Sequence, residues 1–115
     1  MPTDLDYLAP ATVEDAVAIG TGGPGSVYLL GGTDLLPQMR AGRRAPLRIV
    51  DLKRIGALHE IREGGDGGLS IGAAVPLADV EVHPAVLHRF PLLAECAKTV
   101  GAWPLRQRAT LAGNI

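Results

Sequence analysis

The sequence predicts an α+β protein of two subdomains, residues 1–54 and 55–115, on three observations. Val27 to Leu52 reads strand, glycine turn, helix, strand. His59 to Ala73 reads as two short strands around a glycine cluster. From Pro76 onward, short apolar-spaced helices follow one another. At 115 residues the chain is one ordinary domain in size.

Element by element, Thr12-Val13-Glu14-Asp15 is a helix start, with a capping threonine and acids in the first turn, leading into Ala16 to Ile19. Gly20 to Ser26 is a loop, and Val27 to Leu30 a buried strand. Asp34 to Arg40 is a short helix and Leu47 to Leu52 a second strand, which together make a small βαβ-like unit. Pro37 lacks an amide hydrogen and so belongs in a first helical turn, placing the cap at Thr33 or Asp34. His59 to Arg62 and Leu69 to Ala73 pair across the hairpin turn Gly64-Gly65-Asp66-Gly67-Gly68. Pro76 to Glu81, His83 to His88 and Leu92 to Val100 are helices, and Ala109 to Leu111 should begin a further strand.

Gly31-Gly32-Thr33-Asp34 is the chemically suggestive stretch. Gly31 and Gly32 can adopt positive φ and let a ligand approach the main chain, while the first amides of a following helix lack internal partners and attract an anion. The same Gly-Gly also serves any strand-to-helix turn. Gly20-Thr21-Gly22-Gly23-Pro24-Gly25 matches the GxGxxG dinucleotide pattern in letters only. A helix precedes it, a strand follows it and Pro24 removes an amide, so it reads as a flexible turn.

Several functions are excluded or disfavoured by composition. Eleven Lys and Arg against twelve Asp and Glu give a net charge of −1, which argues against nucleic acid as a partner. The basic group Arg40, Arg43, Arg44, Arg48, Lys53 and Arg54 has no interleaved aromatics and reads as a solvated face or a subunit contact. The single cysteine, Cys96, permits neither a disulfide framework nor an iron-sulfur cluster within the chain and is expected to be a buried thiol. His59, His83 and His88 lack metal-ligand spacing and read as surface or capping residues, and no serine sits in a GxSxG elbow. No catalytic acid, base, nucleophile or metal ligand is assigned. No run approaches membrane-span length, and Met1-Pro2-Thr3-Asp4 is not the start of a leader, so a cytoplasmic location is expected.

Leu30-Gly31-Gly32-Thr33-Asp34-Leu35, taken with Leu105-Arg106-Gln107-Arg108-Ala109-Thr110-Leu111-Ala112-Gly113-Asn114, resembles the paired loops AGGTDL and IRNxATxGGN of the flavin subunits of the xanthine dehydrogenase and carbon monoxide dehydrogenase group. Arg48 to Leu52, Leu69 to Val75 and Phe90 to Leu93 extend the resemblance over nearly the whole chain. It implies a two-subdomain FAD-binding fold of the p-cresol methylhydroxylase type, truncated at the C-terminus, with one loop per subdomain and the cofactor in a cleft between them. It further implies that FAD contacts fall at Leu29, Leu30, Gly31, Gly32, Thr33, Asp34, Leu35 and Leu36, and at Ala109, Thr110, Leu111, Ala112, Gly113 and Asn114. Asp34 would cap amides or shape the loop rather than face phosphate. Asn114 suits a ribose, a phosphate or its own turn. Leu30, Pro76, Gln107 and Ala112 depart from the family pattern. Ala112 is costly, on the order of 1 to 2 kcal/mol, if its position demands positive φ, and tolerable if the family glycine only permits close approach.

The same resemblance implies electron transfer. FAD would take electrons from 2Fe-2S clusters reduced by a molybdenum cofactor, both on partner subunits, and pass them to NAD or another acceptor. The partners implied are an iron-sulfur subunit and a molybdopterin subunit, with substrate chosen by the latter. The alternative is a non-catalytic remnant or interaction module that holds no flavin.

Overall fold

A computed structural model describes residues 4–115. Met1-Pro2-Thr3, read above for the absence of a leader, lie outside the described residues. Contacts divide the chain into two compact units, Met1–Gly56 and Ala57–Ile115.

In the first unit, β1 (Asp6–Leu8), β2 (Ser26–Leu29) and β3 (Arg48–Asp51) form a parallel sheet in the order β1-β3-β2. Tyr7 and Val27 both lie opposite Ile49 in register. The central strand is accordingly the most buried, with Ile49, Val50 and Asp51 inside. Helix α1 (Val13–Thr21) starts where its capping signal predicts, because Thr12 Oγ1 accepts the Asp15 amide at 3.1 Å. It runs further than expected: Gly20 and Thr21 belong to its last turn, and Gly22 is the C-cap. A Cβ at Gly20 would run into the Tyr28 ring and hydroxyl, so this glycine serves packing and not a nucleotide. Helix α2 (Leu35–Arg40) returns the chain from β2 to β3. Leu35 and Met39, four residues apart on one face, pack with Leu29 and Ile49, each such burial being worth about 1.5 to 3 kcal/mol. Arg48 of the basic group faces Asp6 across an exposed 3.8 Å pair.

The second unit opens with a single 3-10 turn, Gly56–His59, where a strand was expected to begin. The hairpin follows as predicted, β4 (Ile61–Glu63) antiparallel to β5 (Leu69–Ile71), with the Asp66 carboxylate accepting the Gly68 amide inside the glycine turn. Four short helices complete it: α3 (Leu77–Val80), α4 (Pro84–Arg89), α5 (Pro91–Lys98) and α6 (Trp103–Arg106). Prolines begin α4 and α5, where a missing amide costs nothing, and His83 Nδ1 caps α4 by accepting the Ala85 amide at 3.2 Å. Val75, Val80, Val86 and Ala94 form one core, joined by Ile61, Leu69 and Ile71 of the hairpin. Leu77, Ala97 and Ala109 form another. Cys96 is exposed, contrary to expectation, because Ala94 and Ala97 take the buried face of α5 and turn position 96 outward. Among the described residues no helix is long and apolar enough to cross a membrane, and no cluster of His, Cys, Asp or Glu could hold a metal.

Candidate functional site

The first loop leaves β2 at Leu29 and enters α2 at Leu35. Its outer leucines are structural: Leu29 and Leu35 are buried, and Leu36 packs against the same cluster, so these can offer a ligand only their main chain. Leu30, Gly31, Gly32 and Thr33 are half-buried, and Asp34 is exposed. Of the two glycines, Gly32 alone takes positive φ, 76°. A Cβ there would also stand 3.0 Å from Leu36 Cδ1.

Asp34 occupies the N-cap position but its side chain caps no amide. Its backbone is already helical, and its carboxylate accepts the Gln38 Nε2 amide at 2.8 Å, a pair along α2. In consequence the amides of Gly31, Gly32, Thr33, Asp34 and Leu35 donate to no protein group among the described residues; the first loop amide accepted internally is Leu36, by Gly32 O at 3.2 Å. The Thr33 hydroxyl is likewise unengaged. Such a run of half-buried donors matches an anionic, oxygen-rich ligand. With α2 only six residues long, such a ligand would be held by the loop amides rather than by a helix dipole.

Below this loop lies a set of contacts that local patterning does not reveal. Asp51, at the end of β3, is buried, and its carboxylate accepts the Tyr7 hydroxyl, the Lys53 amide at 2.9 Å and the Lys53 ammonium at 2.9 Å. Burial pushes this carboxyl upward, but the Tyr7 hydroxyl and the two Lys53 donors outweigh it and hold it below the usual carboxylate range. The hydrogen bond to Asp51, reinforced by burial, raises the Tyr7 phenol. Lys53 Nζ also donates to Leu30 O at 3.0 Å.

The second loop follows α6, a helix for which the sequence reading assigned no element. Arg106 Nε lies 3.0 Å from Glu81 Oε2 in a buried ion pair, Arg106 Nη1 donates to Gly101 O at 3.0 Å, and the guanidinium stands over the Trp103 ring. The strand expected at Ala109 to Leu111 is reduced to one bridge, Thr110 opposite Pro76, with Leu77 N donating to Ala109 O at 2.7 Å. Pro76 has no amide to extend a ladder. Ala109 and Thr110 are buried, and Leu111 packs on the Leu77 cluster. Ala112, Gly113 and Asn114 form an exposed 3-10 turn. Ala112 has no positive φ, so of the two readings left open for it the backbone-strain reading falls. Gly113 N donates to Thr110 Oγ1 at 2.9 Å and Asn114 Nδ2 to Thr110 O at 2.8 Å, the latter a contact within its own turn, one of the roles that suit Asn114.

One loop whose amides lack acceptors among the described residues, on a fold of mixed α and β structure, is what the geometry presents. The chain belongs to the family described as the FAD binding domain in molybdopterin dehydrogenase, whose profile matches residues 3–115. It is 39% identical over 116 residues to the carbon monoxide dehydrogenase medium chain of Hydrogenophaga pseudoflava, covering 100% of this chain and 40% of that one. It is 31% identical over 109 residues to a putative xanthine dehydrogenase FAD-binding subunit of Escherichia coli, covering 95% and 37%. Among solved structures, a carbon monoxide dehydrogenase from Hydrogenophaga pseudoflava that lacks the Mo-pyranopterin moiety superimposes with a TM-score of 0.93 at 37% identity, over 99% of this chain and 40% of that chain. Quinoline 2-oxidoreductase from Pseudomonas putida 86 gives 0.90 at 30% identity, over 95% and 38%. The chain thus spans about two fifths of the length of the relatives it matches.

Proposed function

We propose that the chain is the FAD-binding part of a molybdenum hydroxylase flavin subunit, working in the cytoplasm beside an iron-sulfur subunit and a molybdopterin subunit. The observation that carries this reading is the run of amides from Gly31 to Leu35 that donate to no protein group among the described residues, in a chain of an FAD-binding family. These donors, with the Thr33 hydroxyl, would hold the pyrophosphate, and the exposed second turn would add the Ala112 amide, since those of Gly113 and Asn114 donate within the turn. FAD, once bound, supplies the electron-carrying chemistry, between iron-sulfur clusters and NAD or another acceptor. The protein's own residues bind and orient. Each loop would then belong to its own subdomain, residues 1–54 and 55–115.

Neither loop contains a tyrosine, histidine or cysteine to carry a covalent flavin link. Acid precipitation of the protein purified from its host should therefore leave FAD in the supernatant. Flavin retained in the pellet would contradict noncovalent binding, and a native protein free of flavin that takes up no added FAD would favour the non-catalytic alternative.

A further inference from the structure

We propose that Lys53 is the positioning residue of the first loop, held in place by Asp51 and Tyr7, and that it aims the Gly31 N–H at the pyrophosphate; this rests on the flavin reading above. The ammonium bridges the end of β3 to the peptide just past the end of β2, one residue beyond the last ladder contact, Leu52 N to Leu29 O. On one side it meets both Asp51 carboxylate oxygens at 2.9 Å, and on the other it meets Leu30 O at 3.0 Å, where β2 hands over to the glycines. The carboxylate is itself held by the Tyr7 hydroxyl from β1 and by the Lys53 amide. Strand β3 is the centre of its sheet, so the clamp is anchored on the strand paired on both sides.

The consequence follows from the peptide bond. The unit joining Leu30 to Gly31 is planar and trans, so its C=O and N–H point in opposite directions. Fixing Leu30 O on the ammonium therefore fixes the Gly31 N–H on the far side, facing away from Lys53. Gly31 opens the run of unpaired amides, and its soft φ would otherwise let this peptide plane turn over. Lys53 shares its charge with Asp51 and acts through the main chain, not as a direct phosphate ligand.

The test compares native protein with Lys53→Met and Lys53→Arg, each purified from its host, stripped of flavin and titrated separately with FAD and with riboflavin. Losing one aligned donor to a charged group should weaken FAD about tenfold in Lys53→Met. Riboflavin, which has no pyrophosphate, should bind both alike, and Lys53→Arg, which keeps charge and donors, should recover most of the FAD affinity. If Lys53→Met does not fold, Tyr7→Phe replaces it, with an expected FAD loss of about threefold at unchanged apoprotein melting. Equal FAD affinity in native and variant protein, or equal losses for FAD and riboflavin, would overturn the proposal while leaving the flavin reading intact. A native protein that binds no FAD would remove both.

Discussion

Gly32 and Ala112 answer to different backbone demands, and the difference is measurable. At φ 76° an alanine replacing Gly32 meets the left-handed penalty of about 1 to 2 kcal/mol, and its Cβ presses on Leu36. Gly32→Ala should lower apoprotein stability by that amount in urea unfolding, besides weakening FAD. Ala112 carries no such strain, so restoring the family glycine relieves nothing and adds chain entropy to the unfolded state. Ala112→Gly should destabilise by about 0.5 to 1 kcal/mol, and a gain in stability would contradict the negative φ. Asp51 sets a pH dependence of definite sign. Its folded pKa lies below the unfolded value of 3.8, so its contribution is complete above that value and is lost as pH falls through the folded pKa. Unfolding free energies measured from pH 7 down to 3 should decline on the acid side in native protein and decline less in Asp51→Asn. The raised Tyr7 phenol works oppositely: its contribution is complete below pH 10.0 and is lost at higher pH, as the folded phenol ionises.

At the level of elements, what could be read from sequence is what is encoded locally. Thr12 announced α1 because a cap is a contact between neighbours, and the glycine cluster with Asp66 announced the hairpin for the same reason. β1 went unread. Its three residues are all exposed, and only pairing with β3 makes them a strand. The same is true of the clamp under the first loop, since Tyr7 and Asp51 lie 44 positions apart. α6 was hidden by Trp103-Pro104, where proline starts a helix rather than a turn. The Glu81–Arg106 pair then becomes the element-scale test, because it ties the end of α3 to α6 with side chains only 5% and 14% exposed. Arg106→Met should cost about 3 to 5 kcal/mol by leaving Glu81 buried without its cation. Glu81→Leu combined with Arg106→Met should recover most of that loss, since an apolar pair of similar volume needs no charge desolvation. Thermal and urea unfolding of native protein and the two variants decide it, and a double variant as unstable as Arg106→Met alone would show that the pair does more than neutralise itself.

For the molecule as a whole, the question is how much of a flavin site 115 residues can hold when the relatives are about two and a half times longer, this chain covering 40% of the carbon monoxide dehydrogenase medium chain. The first loop has deep support: a core of Leu29, Leu35, Met39 and Ile49 and a buried carboxylate beneath it. The second differs. Beyond Thr110 it is held by bonds within the turn, Gly113 and Asn114 to Thr110, Asn114 N to Leu111 O and Ile115 N to Ala112 O. A turn held only by its own residues orders fully when it meets its ligand, and each residue so fixed subtracts about 1 to 2 kcal/mol from affinity. These 115 residues alone should accordingly bind FAD far more weakly than the same residues carried in a chain of the relatives' length. Fluorescence titration of both with FAD makes the comparison, and alkaline-phase hydrogen exchange at Gly113 and Asn114 tests the cause, with protection expected only in the longer chain. Equal affinities would mean that the first loop already supplies nearly all of the binding energy and that the second is an accessory to it.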